Sequence, residues 1–149
     1  MVKVIPDIML LCVGAVKDRH IAALVDRYLS RLRHEARIEV REIRDSNRTV
    51  EGEQLSGLLD KIKARSYALG EEGRSLTSHR FASLFETVHQ RMVFIIGGPD
   101  GLSERIKEKA DEVLSLSSFT FTHEIARLLL VEQLYRSCTI LHHGSYHKE

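Results

Sequence analysis

Four stretches of this sequence gather the residue types that chemistry uses. Gly97-Gly98-Pro99-Asp100-Gly101 follows an uninterrupted apolar run, Met92 to Ile96. Glycines there let a backbone approach a ligand closely, and parallel sheets bind ligands beyond the carboxyl ends of their strands. The spacing matches neither the dinucleotide fingerprint nor a phosphate loop, so phosphate cradling is poorly supported. A plain strand-to-helix turn fits it as well. Leu114-Ser115-Leu116-Ser117-Ser118-Phe119-Thr120-Phe121-Thr122 is rich in small hydroxyl residues and leads into a very apolar segment. Backbone donors and acceptors beside a greasy wall suit an adenine ring. Thr122 also serves as an ordinary helix N-cap.

The apolar segment Ile125 to Arg136 contains one conspicuous cation, Arg127. If buried, it needs an anionic partner; at a helix edge it snorkels to water. Glu132 and Arg136 stand at ion-pair spacing, whereas Glu124 with Leu128 is a packing pair. The tail from Leu141 to Glu149 concentrates three of the eight histidines. No carboxylate or thiolate completes a ligand set there, so a metal is not expected. Tyr146, His147 and Lys148 would suit RNA, with an aromatic ring for a base and cations for phosphate. A frayed terminus is the alternative.

These stretches need elements to position them. The chain has 149 residues, 43% hydrophobic and 29% charged, which suits one globular domain over 1–149 and excludes disorder. No run is long and apolar enough to span a membrane. Ile8 to Gly14 reads as a buried strand rather than a signal-peptide core: Pro6 and Asp7 interrupt it, only Lys3 precedes it, and no clean cleavage site follows. Cys12 and Cys138 lie far apart in apolar surroundings, as packed, reduced thiols do, and a cytoplasmic location is expected.

Strand-length apolar runs alternate with segments of helical period. Strands are expected at Ile8–Val13, Ala36–Ile43, Ser66–Leu69 (ending in a Gly70-Glu71-Glu72-Gly73 turn), Met92–Ile96 and around Val113-Leu114. Helices are expected at Asp18–Arg33, Val50–Ala64, Thr77 to about Gln90, Leu102–Ala110 and Thr122–Ser137. This alternation predicts an α/β fold, a mostly parallel sheet with helices on both faces. The final helix, apolar nearly all round, must be buried in the core or against another subunit.

Net charge is only +1, but residues 1–67 carry 13 Lys/Arg against 10 Asp/Glu. Arg27, Arg31, Arg33, Arg37, Arg41, Arg44 and Arg48 form a band that a nucleic-acid protein would turn on phosphates. Asp26, Glu35, Glu39, Glu42 and Asp45 are interspersed, so a solvated mixed-charge face is the competing reading.

Taken together, the motifs resemble one family closely: the SPOUT-class 23S rRNA pseudouridine N3-methyltransferases. The resemblance is carried by Ile-Gly-Gly-Pro-Asp-Gly-Leu-Ser from Ile96, then the serine-rich loop through His123, then Glu132-Gln-Leu-Tyr-Arg136, then Tyr146-His-Lys148, in that order. Glu51-Gly52-Glu53 and Val13-Gly14 are also similar. The resemblance implies a C-terminal trefoil knot, a homodimer, and a cofactor, S-adenosyl-L-methionine. The cofactor would be held by Leu69, Gly97, Leu116, Ser117, Ser118, Phe119, Thr120 and Phe121. The substrate would be 23S rRNA in the large subunit or the assembled ribosome. Four departures stand out: Thr122 and Ser145 where the family usually has Pro, Gly70 where it has an acid, and a shorter stretch between Glu42 and Glu51.

Methylation at N3 requires loss of a proton, so a base or an anion-stabilising group is expected. His123 is the candidate for proton handling and Arg127 for stabilising charge, with Tyr146, His147 and Lys148 holding RNA. A capping or packing His123 remains open. The rival classes are a catalytically inactive RNA- or ribosome-binding module of the same fold, and an unrelated nucleotide-using α/β enzyme.

Overall fold

Side-chain parity along the strands organises the molecule. The structure is a computed structural model that describes residues 5–148; Lys3 and Glu149 lie outside them. Five strands, β1 (Asp7–Val13), β2 (Arg37–Ile43), β3 (Arg65–Ser75), β4 (Met92–Ile96) and β5 (Glu112–Ser115), form one sheet in the order β2-β1-β4-β3-β5. Every pairing is parallel. Between them run α1 (Arg19–Leu32), α2 (Arg48–Lys61), α3 (Ser78–Thr87) and α4 (Glu104–Lys109), and α5 (His123–Leu141) closes the chain. The expected α/β architecture is the one observed.

Alternate strand residues point to opposite faces. Ile8, Leu10 and Cys12 of β1 with Met92, Phe94 and Ile96 of β4 pack under α1, α3 and α5. Met9, Leu11, Val93 and Ile95 pack under α2 and α4. Both faces are covered, which is why β1 and β4 read as continuous apolar runs. The apolar girth of α5 has the same origin: its buried residues Leu130, Val131, Leu134 and Cys138 meet the sheet, α1 and α3 at once.

Each helix starts on a capping side chain: Asp18, Asn47, Thr77, Ser103 and Thr122 accept backbone N–H bonds of their first turns. Thr122 therefore starts α5 at the position where the resemblance leads one to expect Pro. Some boundaries shift. α2 begins earlier, on Asn47, and ends at Lys61; α3 ends at Thr87. α5 continues past Ser137 because Cys138 and Thr139 are themselves buried.

The largest correction concerns β3. It was expected to stop at Leu69, yet it resumes after a four-residue excursion, so that Leu69 and Arg74 both face Leu114 of β5. Of the two glycines in that excursion, Gly73 serves close packing. A Cβ on Gly73 would lie 2.6 Å from the carbonyl of Val113, so only glycine lets the strand return to β5.

Gly57 shows the opposite case. It is exposed within α2 and a Cβ there would meet nothing within 4 Å. Gly57→Ala is expected to stabilise the protein by about 0.5–1 kcal/mol, since alanine loses less backbone entropy in a helix. A thermal melt should rise by about 1–4 °C; an unchanged or lower midpoint would refute this.

Candidate active site

The carboxyl ends of β3, β4 and β5 open onto one cleft of about 1070 Å³. Ile96, Gly97, Gly98, Pro99, Asp100 and Gly101 form one wall. Leu69 and the excursion residues Gly70, Glu71 and Glu72 form a second, and the loop from Leu116 to Thr122 a third. The first turn of α5, His123 to Ala126, closes the cleft with Asp18. The glycine turn and the serine-rich loop, far apart in sequence, face each other across it.

Close backbone packing makes the glycine turn. Gly101 N–H donates to the Gly98 carbonyl at 2.9 Å, and Gly101 adopts a left-handed φ of 75°. The Arg48 guanidinium, in the first turn of α2, donates to the Asp100 carbonyl at 2.6 Å. Buried Glu51 accepts from the Ser46 N–H at 2.7 Å with its other oxygen towards Gly98. Ser117 shapes the opposite wall: its hydroxyl accepts from the Phe119 N–H at 3.0 Å, and its carbonyl from the Ser115 hydroxyl at 2.8 Å. That turn leaves Phe119 78% exposed at the mouth, beside half-open Phe121 and Ile125.

Of the expected cofactor residues, Leu69, Gly97, Leu116, Ser117, Phe119, Thr120 and Phe121 line the cleft. Ser118 is exposed beside it and does not. His123 lines it with its side chain partly open. Arg127 does not. It is buried, its guanidinium pairs with Glu42 and donates to the Gly14 carbonyl at 2.7 Å, so the anionic-partner alternative holds and the snorkelling one fails. Glu124, read as a packing residue, is instead a clamp: its carboxylate accepts the Lys17 and Asp18 N–H groups, each at 3.1 Å. Glu124 and Arg127 thus hold the loop after β1 from one face of α5.

Those two N–H bonds hold the Glu124 carboxyl below its ordinary 4.5. A depressed folded value makes the clamp's contribution fully present above that ordinary value and lost as pH falls through the lower folded one. Wild-type melting temperature should therefore fall more steeply than that of Glu124→Gln on acidification below about pH 4.5. Parallel pH profiles for the two proteins would refute the clamp.

Several cleft residues had no local signal in the sequence. Ile96 and Leu102 add apolar wall, and Glu72 and Lys107 make an ion pair of 2.8 Å between the β3 excursion and α4. This pair bears on Gly70, where the resemblance leads one to expect an acid. Both Glu72 carboxylate oxygens lie 2.9 Å from the position a Gly70 Cβ would take. An acidic group therefore occupies that space, supplied from two residues further on.

The tail residues stand elsewhere. The Tyr146 hydroxyl donates to Glu132 at 3.0 Å and lies 3.3 Å from the Tyr28 hydroxyl, and the Tyr146 ring lies under the Arg136 guanidinium. Burial and the neighbouring Glu132 push its phenol well above the ordinary range. His147 Nδ1 contacts Arg136 at 3.0 Å, and Lys148 is exposed. Glu132 also carries the expected pair with Arg136, at 3.1 Å. Residues 132–136 lie about 14–20 Å along α5 from His123 at 1.5 Å per residue. Within one chain the tail is ordered against α5 but does not reach the cleft.

Among the described residues no three His, Cys, Asp or Glu side chains stand together as a metal set, and no helix is long and apolar enough to cross a membrane.

Comparison with known proteins agrees with this geometry. The family described as "Predicted SPOUT methyltransferase" matches residues 7–147. A protein of Synechococcus sp. (strain RCC307) named "Ribosomal RNA large subunit methyltransferase H" is 42% identical over 142 residues, covering 95% of this chain and 94% of its own. One of the same name from Prochlorococcus marinus (strain NATL2A) is 40% identical over 141 residues, 94% of each chain. Among solved structures, a probable methylase family protein from Haemophilus influenzae Rd KW20 superposes with a TM-score of 0.62 at 8% identity, over 97% of this chain and 71% of that one. That last likeness speaks for the fold alone; with the family match and the two relatives, it follows that the chain belongs to the SPOUT methyltransferase family.

Proposed function

We propose that the protein transfers a methyl group from S-adenosyl-L-methionine to N3 of a pseudouridine in 23S rRNA, in the cytoplasm, as a homodimer. The observation that carries this is the single cleft built from the glycine turn and the serine-rich loop. Its residues fit the cofactor: Leu69, Ile96, Leu102, Leu116 and Phe121 offer apolar contact for a flat ring. The turn's backbone offers polar groups for its edge, and Glu71, Glu72 and Asp18 offer negative charge to a cationic donor. S-adenosyl-L-methionine in that cleft supplies an electrophilic methyl group on a sulfonium.

The chain's own residues then position and deprotonate. His123, which lines the cleft, would take the N3 proton of an acceptor base entering from the mouth. Arg127 acts through position: tied to Gly14 and Glu42, it holds the β1–α1 loop against α5 and does not line the cleft. A partner subunit accounts for two features at once. Phe119, Phe121 and Ile125 are exposed apolar groups around the mouth, and a second chain would cover them. The Tyr146, His147 and Lys148 of one protomer would also reach a substrate in the cleft of its partner.

Two measurements test the reading. Calorimetric titration should detect stoichiometric S-adenosyl-L-methionine binding; none would favour an inactive RNA-binding module. Mass spectrometry of rRNA from cells with and without the protein should show one methyl lost from a pseudouridine. His123→Ala should lower turnover while leaving cofactor affinity intact; unchanged methylation would remove His123 from the chemistry without touching the family assignment.

A further inference from the structure

Three of the five acids interspersed in the arginine-rich band pair outside it. Glu35 binds the His142 ring at 2.5 Å, Glu39 binds Arg91 at 2.7 Å, and Glu42 binds Arg127. Each partner lies on a different part of the chain. Arg33, Arg37, Arg41 and Arg44 are all exposed, and none has an ion pair among the described residues. What survives along the strand is a row of cations without ion pairs, with Asp26 on α1 and Asp45 beyond Arg44 the exposed acids of the band that are likewise unpaired among the described residues.

The row has a direction. β2 forms one edge of the sheet, with only β1 beside it. Arg37 and Arg41, four apart, share one face of that strand. Arg44 follows its carboxyl end, and Arg48 lines the cleft itself. From Arg37 to Arg44 the path covers about 23 Å of extended chain. Charges on an exposed edge strand also discourage edge-to-edge aggregation, but charges of either sign do that. On β2 itself the acids Glu39 and Glu42 are paired and the arginines are the charges left without ion pairs. Guanidinium groups are suited to bidentate phosphate contacts.

We propose that Arg37, Arg41 and Arg44 form the docking surface for the phosphate backbone of the substrate RNA, leading it along the β2 edge to the cleft mouth. This rests on the rRNA methyltransferase reading above. The test uses ribosomes from cells lacking the protein, with the full-length triple variant Arg37→Ala/Arg41→Ala/Arg44→Ala. KM should rise at least about tenfold at low salt, with kcat and S-adenosyl-L-methionine affinity unchanged. The slope of log KM against log salt should become shallower by about 2, as when two to three phosphate contacts are lost. The corresponding triple lysine variant should recover most of that slope.

An unchanged KM and slope in the alanine variant would overturn the docking surface while methylation by the wild type stood. A raised KM with an unchanged slope would overturn it too, because the contact would then be with ribosomal protein rather than phosphate. If the wild type bound no S-adenosyl-L-methionine and methylated no ribosomes, the underlying reading would fail and the docking surface with it.

Discussion

Adding one methyl group at Gly97 is expected to abolish methylation and to weaken S-adenosyl-L-methionine binding at least about 100-fold, the scale of effect that a displacement of about 1 Å produces. Gly97 has no unusual backbone conformation, so the argument is one of space. A Cβ there would lie 2.6 Å from the Gly101 carbonyl carbon, 2.8 Å from the Leu102 nitrogen and 3.0 Å from the Gly101 Cα. All three are backbone atoms, which cannot swing aside as a side chain would. The turn would have to open, breaking the Gly98–Gly101 bridge and pulling Leu102 from the core. Gly101 provides the contrast. A Cβ there meets nothing within 4 Å, and only its φ of 75° resists substitution. Gly101→Ala should therefore cost about 1 kcal/mol of stability and leave most of the affinity. Calorimetry on both variants checks the order. Gly97→Ala binding within threefold of wild type would show that the turn does not shape the site.

The contrast between these glycines explains what the sequence could reveal. β1 and β4 were legible because burial on both faces makes a strand apolar at every position, and the helices because apolar residues recur at helical period or, in α5, run nearly all round. The glycine turn was legible as a close approach after a central strand. Its counterpart, the Gly70–Gly73 excursion, misled, because glycines that mark a turn and glycines that allow two strands to touch look alike in one dimension. Long-range polar contacts were invisible for a related reason. Nothing near Glu124 announces that its carboxylate will find N–H groups 106 and 107 positions earlier. Nothing near Glu35, Glu39 or Glu42 announces partners other than the adjacent arginines. Charge order along a strand suggested neutralisation, and the fold undoes it by turning the acids to other elements.

Glu42 and Arg127 carry the other large effect, and it should be unequal between the two partners. The Arg127 side chain is 6% exposed, that of Glu42 41%. Glu42→Ala would strand a buried guanidinium with only the Gly14 carbonyl, whereas Arg127→Met leaves a carboxylate that water can reach and puts an apolar side chain into an apolar site. Removing one partner of a buried pair costs about 3–5 kcal/mol. Water's access to this pair argues for the lower end, about 3 kcal/mol for Glu42→Ala, and about 1–2 kcal/mol for Arg127→Met. Cys12, packed nearby with its thiol pushed up to about 11 by burial, offers no compensating charge to either variant. Chemical denaturation of the two single variants and the double variant Glu42→Ala/Arg127→Met gives both costs and their coupling, and the double variant should be more stable than Glu42→Ala alone. Arg127 would then be a strut whose loss loosens the β1–α1 loop, lowering cofactor affinity through Asp18 and the cleft wall. Equal costs for the two single variants, with no coupling, would mean that the guanidinium is solvated after all, and that its bond to Gly14 does not hold that loop in place.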